Sequence, residues 1–256
     1  MAVTRWHISK KRVQSLRPRR GAGLLLLLGL TVLLALLPAG CRGNKNGNLL
    51  ANPGFENGSD PWYEMSKTSP AAWGEPFEVS GTVAHSGQHS AHITLIPPAQ
   101  PAQDKVFGVV QDLSPKQFPE FVSGYYRVEN WQKATHFQYL QFVVIAFTND
   151  PSGNTTNTQI RYLLAGADAE PFEIGNAKFV FVNTAEPSTG EWVYFQRNVK
   201  EDFEQLWGSV PQGLEHVRMF FEARYDSPTA TQPQIGGDVY YDDLYAGPQS
   251  AAPKHE

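Results

Sequence analysis

From residue 77 onward the chain alternates between apolar and polar positions. Val217, Met219, Phe221, Ala223 and Tyr225 fall on one side of an extended segment, with Arg218, Glu222 and Arg224 on the other. Period-2 alternation of this kind is the mark of a half-buried strand. Val122, Gly124, Tyr126 and Val128 oppose Ser123, Tyr125, Arg127 and Glu129 in the same way. Residues 137–147 are apolar on both faces toward their end, which predicts a central strand covered on both sides. Further runs rich in Val, Phe, Tyr and Ile lie at 77–82, 90–95, 107–112, 178–182, 192–199 and 239–245, most of them separated by Gly, Pro, Asn, Asp or Ser clusters. Helical spacing is confined to 201–207, where Phe203, Leu206 and Trp207 share a side. Nothing alternates strand with helix as a parallel sheet requires. The pattern predicts an all-β fold, an antiparallel two-sheet β-sandwich of jelly-roll type spanning 48–247. A polar spacer at 41–47 precedes it, and an Ala/Pro-rich tail at 248–256, expected to fray, follows it.

The first forty residues follow a different pattern. Arg5, Lys10, Lys11, Arg12, Arg17, Arg19 and Arg20 form a basic leader without an acid, ahead of an apolar run from Leu24 to Leu37. The run closes on Pro38-Ala39-Gly40-Cys41, whose cysteine has no other in the chain to pair with. A positive flank, a short apolar segment and small residues at the cut make an export signal. The junction resembles the lipobox of bacterial lipoproteins, in which the cysteine is lipidated and becomes the mature N-terminus. Pro38 stands where that motif usually has leucine. The resemblance implies a signal peptide over 1–40, lipid on Cys41 and an exported body held to a membrane, periplasmic or at the cell surface. Gly21 to Ala39 also approaches the ~17–25 residues of a bilayer span, so an uncleaved anchor stays open beside it. Arg19-Arg20 raises a twin-arginine route, but Gly21-Ala22-Gly23 lacks the hydrophobic residues such signals carry next.

Without the leader, the 21 Lys and Arg fall to 14 against 25 Asp and Glu, a net charge of −11. An acidic body has no electrostatic footprint for nucleic acid, and it does not adhere to anionic lipid. Membrane attachment then rests on the Cys41 lipid, at about 0.8 kcal/mol per buried methylene. A single cysteine excludes an intrachain disulfide and a thiolate zinc site.

Three segments carry a second resemblance: Asn48-Leu49-Leu50-Ala51-Asn52-Pro53-Gly54-Phe55-Glu56, His85-Ser86-Gly87-Gln88-His89-Ser90, and Asp238-Val239-Tyr240-Tyr241-Asp242-Asp243-Leu244. In this order they resemble the galactose-binding-like jelly rolls, in particular the carbohydrate-binding modules of the family 4/9/22 group. The resemblance implies a non-catalytic binder whose partner is a polysaccharide or another glycan of the cell envelope. It also implies a structural Ca²⁺ held by Glu56 and Asp242 with backbone carbonyls near Gly87 to His89, hard oxygen donors that suit this ion. Without an ion, Glu56 is a turn cap and Asp242 a solvated edge residue.

Candidate ligand contacts follow from the same pattern. Tyr125, Arg127, Gln138, Arg218, Glu222 and Arg224 are expected on a polar concave face if their strands share one sheet. Two arginines there also fit an acidic sugar, since guanidinium pairs bidentately with carboxylate. Trp73 and Trp131, near loops and strand ends, are candidate stacking planes, against the ordinary role of such rings as core. The charged positions read equally well as a cross-strand ion-pair ladder. Glu129 and Glu222 are the carboxylates a glycan hydrolase or lyase would need in one cleft. The chain has no nucleophile elbow, zinc-protease helix or phosphate loop. An envelope lipoprotein of the same fold that binds a protein partner is the alternative to a sugar binder.

Overall fold

The structure, a computed structural model, describes residues 47–64, 76–98, 104–113, 116–226, 235–249 and 252, all within one compact unit, Arg42–Glu256. Cys41, the leader and Trp73 lie outside the described residues. Among the described residues no helix is long and apolar enough to cross a membrane.

The strands in chain order are β1 (Tyr63–Glu64), β2 (Glu78–Ser80), β3 (Ser90–Leu95), β4 (Lys105–Asp112), β5 (Phe121–Gln132), β6 (Phe137–Asn149), β7 (Thr155–Ala165), β8 (Phe172–Ile174), β9 (Ala177–Phe181), β10 (Trp192–Asn198), β11 (Leu214–Asp226) and β12 (Gly236–Gly247). They form a seven-stranded sheet, β1-β4-β11-β6-β7-β9-β8, and a five-stranded sheet, β10-β5-β12-β3-β2. Pairing is antiparallel except between β7 and β9. The predicted β-sandwich is therefore the observed fold.

The apolar side of each alternating strand meets its counterpart across the sandwich. Val217, Met219, Phe221, Ala223 and Tyr225 of β11 share the main core with Val122, Tyr126 and Val128 of β5. Phe142 stacks on Tyr162 at 4.5 Å and lies near Phe195 and Phe221. Each such ring or branched chain contributes about 1.5–3 kcal/mol by leaving water. β6 is apolar on both faces because its outer side is covered too: Val143 and Ile145 pack with Val106, Val110 and Phe220. Gly108 makes this packing possible, since a Cβ there would lie 2.5 Å from the Phe220 ring.

β7 begins Thr155-Thr156-Asn157-Thr158-Gln159, which carries no apolar alternation, so sequence pattern passes over it. The helix α1 (Val199–Trp207) starts two residues before the expected one. Asn198 caps it by accepting from Glu201 N, and Gly208 ends it in the left-handed region. Phe203 is buried there against Phe118, and Leu206 and Trp207 pack on the core.

Candidate functional site

β5 and β11 belong to different sheets, so their polar sides face opposite ways out of the sandwich. Tyr125 and Arg127 do not join Arg218, Glu222 and Arg224 in one site, and Glu129 and Glu222 do not form a carboxylate pair. On the five-stranded side, Arg127 Nε donates to Glu129 Oε1 at 2.8 Å, and the Tyr125 ring lies under His85 at 3.6 Å. Trp131, next to last in β5, donates through its indole Nε1 to Glu186 Oε2 at 3.0 Å. Its ring leans on the core rather than standing open as a platform. Gln138 is fully buried on the inner side of β6. It accepts from Ala134 N and donates to the carbonyls of Gln132 and Gly236, a structural role that the even spacing of the strand dictates. Arg218 is clamped to Asp112 by bonds of 2.7 and 3.1 Å, ~20 Å along β11 from Arg224.

What remains on the seven-stranded side is a cleft of ≈600 Å³ at the β8–β9 end of the sheet. Strand register builds it. Arg224 sits opposite Tyr139 of β6, Glu222 opposite Gln141, and Gln141 opposite Leu163 of β7. Arg161 of β7 runs beside Phe179 of β9, which pairs with Phe172 of β8. Phe172 stacks on Phe179 at 4.3 Å, with Phe181 at 6.1 Å, and together they make an aromatic wall. Phe137, Phe172 and Ile174 line the same cleft with 41, 39 and 64 % of their surface exposed. A second hollow of ≈670 Å³ beside α1 is lined mainly by Gln117, Glu120, Lys200, Glu204 and Gln212, without an aromatic cluster or a buried charge.

The cleft's charges differ in how they are satisfied. Arg224 donates through Nε (3.1 Å) and Nη2 to Asp226 Oδ1 and lies 5.6 Å over the Tyr139 ring. Tyr139 in turn donates to Asp226 Oδ2 at 3.1 Å. Burial works against the charge of Arg224, yet its surroundings hold its proton more firmly than usual. Glu222 is fully buried beneath Arg161 and Arg224, and burial raises its carboxyl above the ordinary range. Arg224, Arg161 and the Gln141 amide oppose that rise without cancelling it. Gln141 Nε2 donates to Glu222 Oε1, which leaves Gln141 Oε1 and Glu222 Oε2 buried without a partner. Arg161 donates through Nε to Gln159 Oε1 at 3.0 Å, sits 5.6 Å over Phe179, and keeps Nη1 3.7 Å from Glu222 Oε1.

Arg161, Tyr139, Phe172 and Phe179 line the cleft and are residues that sequence reasoning passed over. The signal available was Lys178-Phe179-Val180-Phe181, an alternating run whose two rings fall on one side. The polar start of β7 hid Arg161.

Glu56, Gly87, His89 and Asp242 do come together, where the turn between β2 and β3 meets β12 in the five-stranded sheet. Residues 48–56 form no regular strand: Asn52 binds Asn57 N, Gly58 O and Asp60 O, and accepts from Trp62 Nε1. Leu49 N donates to Ala246 O, which lays this segment along β12. Glu56 Oε1 accepts from Gln88 N (2.8 Å) and His89 N (3.0 Å), and Glu56 Oε2 lies 3.2 Å from His89 Nδ1. Asp242 Oδ2 accepts from His85 N (2.7 Å) and Ser86 N (3.2 Å). Gly87 has φ +63°, and the Glu56 carboxylate occupies the space of the Cβ it lacks. The turn thus offers N–H groups, not carbonyls, to both carboxylates, and a cation would compete with them for the same oxygens. In this arrangement peptide N–H groups occupy the Glu56 and Asp242 oxygens that would face a Ca²⁺. Asp242 is buried, which with Asp243 beside it raises its carboxyl to about 6 despite those bonds.

No family model matches the chain, and no curated protein matches it. Solved structures similar to it include carbohydrate-binding modules. TmCBM61, determined with β-1,4-galactotriose, is 16 % identical, covering 78 % of this chain and 97 % of its own, with a TM-score of 0.35. The CBM22-1 xylan-binding domain of Paenibacillus barcinonensis Xyn10C is 16 % identical over 78 % of this chain and 94 % of its own, with a TM-score of 0.41. The C-terminal family 22 module of Clostridium thermocellum Xyn10B is 14 % identical over 82 % of this chain and 99 % of its own, also with a TM-score of 0.41.

Proposed function

We propose that the protein binds a glycan, without acting on it, in the cleft on the outer face of the seven-stranded sheet, and that lipid on Cys41 holds it to a membrane outside the cytoplasm. The observation that carries the binding reading is the aromatic wall of Phe172, Phe179 and Phe181 standing over Arg161, Arg224 and Asp226. Pyranose rings present an apolar face and a rim of hydroxyls, and this cleft offers planes for the one and charged hydrogen-bonding groups for the other. A binder is favoured over a hydrolase because the carboxyls near the cleft are engaged. Asp226 is held by Arg224 and Tyr139, and Glu222 lies closed off with Gln141. The exposed Phe137, Phe172 and Ile174 favour one second reading, in which an envelope protein docks on the same rim.

The test is binding of Arg42–Glu256, the compact unit, to a panel of immobilised glycans and cell-wall polymers. Saturable binding that Phe179→Ala clearly weakens supports the glycan reading. A folded protein that binds nothing on the panel ends it, and crosslinking in native envelopes then becomes the measurement.

A further inference from the structure

We propose that the ligand of this cleft carries a carboxylate, as a uronic-acid-containing glycan does, and that the Arg161 guanidinium receives it; this rests on the glycan reading above. The two arginines of the cleft are not equivalent. Arg224 already donates twice to Asp226. Arg161 uses Nε on Gln159, and no hydrogen bond runs from its Nη atoms to a described residue. Its nearest acidic atom, Glu222 Oε1, is 3.7 Å away, beyond hydrogen-bonding reach. Guanidinium has five N–H donors in a planar fork, so most of that fork is left for a ligand.

The natural counter-ion for Arg161 is Glu222, but its surroundings argue that Glu222 is neutral. Gln141 Nε2 donates to one carboxyl oxygen, and beside it two buried acceptors, Gln141 Oε1 and Glu222 Oε2, lack any donor. A single proton on Glu222 turns one of those acceptors into a donor and removes a buried, unsatisfied charge. Burial pushes the carboxyl the same way, against the pull of Arg224 and Arg161. A neutral Glu222 leaves Arg161, its side chain only 17 % exposed and its guanidinium over Phe179, without an ion pair among the described residues, though Asp104 and Asp226 line the same cleft. A carboxylate arriving from solvent satisfies the open donors and the charge together. The acidic body, net −11 without the leader, repels polyanions at long range, so uptake depends on this local contact rather than on a general basic surface.

Titration calorimetry of Arg42–Glu256 with oligogalacturonate, its methyl ester and neutral galactan and xylan oligosaccharides tests the inference. The free acid should bind about ten-fold or more tighter than the ester, as one charge-assisted contact predicts. Arg161→Gln should erase that difference, and Arg161→Lys should restore only part of it. The acid–ester comparison uses the unaltered protein, so it stands even if the variants fold poorly. Equal affinity for acid and ester, or preference for a neutral glycan, overturns the carboxylate inference and keeps the glycan reading. No binding to any of the four overturns both. The carbon-13 shift of the Glu222 carboxyl is a second check: an ionised Glu222 at neutral pH gives Arg161 its counter-ion and overturns the inference.

Discussion

The two outer faces of the sandwich carry the same local motif with different consequences. On the five-stranded side Arg127 reaches two residues along its strand to Glu129, and on the seven-stranded side Arg224 reaches two residues along to Asp226. Side-chain exposure is 27 and 32 % for the first pair but 10 and 23 % for the second. Neighbours make the difference. Arg127 and Glu129 stand near an open surface, whereas Arg224 lies over the Tyr139 ring in the cleft beside the β8–β9 aromatic wall. An arginine and an acid at i, i+2 on a strand therefore say nothing about a site until the adjoining strands are known.

That contrast can be broken by removing the acid from each pair. Asp226→Ala breaks the ion pair that Arg224 makes twice over and is expected to cost about 3 kcal/mol in urea unfolding, the scale for breaking a largely buried pair. Glu129→Ala should cost less than about 1 kcal/mol and lose even that in high salt. Equal costs would mean that the two faces are equally solvated. The next effect concerns binding. Phe179→Ala is expected to weaken glycan binding by about 2 kcal/mol, as for an aromatic anchor, while Tyr125→Ala on the opposite face leaves it unchanged. A loss with Tyr125→Ala would move the site to the five-stranded side. A finer test is Tyr139→Phe, which deletes only the bond to Asp226 and should cost about 1 kcal/mol of stability.

Much of the sandwich was legible in the sequence because alternation reports which side of a strand is buried, and β5 and β11 alternate over most of their length. Sheet membership was not legible. Tyr125 and Arg218 look alike as polar positions between apolar ones, and only long-range pairing, β5 with β10 and β12 and β11 with β4 and β6, puts them on opposite sides. Gln138 misled for a related reason: an amide can be buried whenever backbone groups at a strand end satisfy it, and residue type does not reveal that. The segments at the domain edges did better. Asn48–Glu56, His85–His89 and Asp242–Asp243 form a latch whose long-range bonds each need a particular residue type, and such requirements leave a mark in short motifs. Even there, which atoms of the turn face the carboxylates was beyond sequence.

The latch gives the smallest expected effect and the sharpest question about the five-stranded side. Peptide N–H bonds from Gln88, then His89, hold the Glu56 carboxyl below its ordinary 4.5. A folded-state pKa below the unfolded one adds stability above the unfolded value and loses it as pH falls through the folded value. The difference in melting temperature between the protein and Glu56→Gln should therefore be constant above pH 4.5 and shrink as the pH drops below it. The carboxylate is 43 % exposed, so solvent screens the effect and the difference is small. Calcium decides what the latch is for. If the N–H donors are the lasting partners of Glu56 and Asp242, melting is the same with calcium and with chelator. If calcium raises the melting temperature by several degrees and Glu56→Gln removes the rise, the turn re-forms around the ion with its carbonyls inward. The five-stranded side would then hold its own buried charge, and the contrast between the two faces would narrow to the identity of the cation, a metal on one side and a guanidinium on the other.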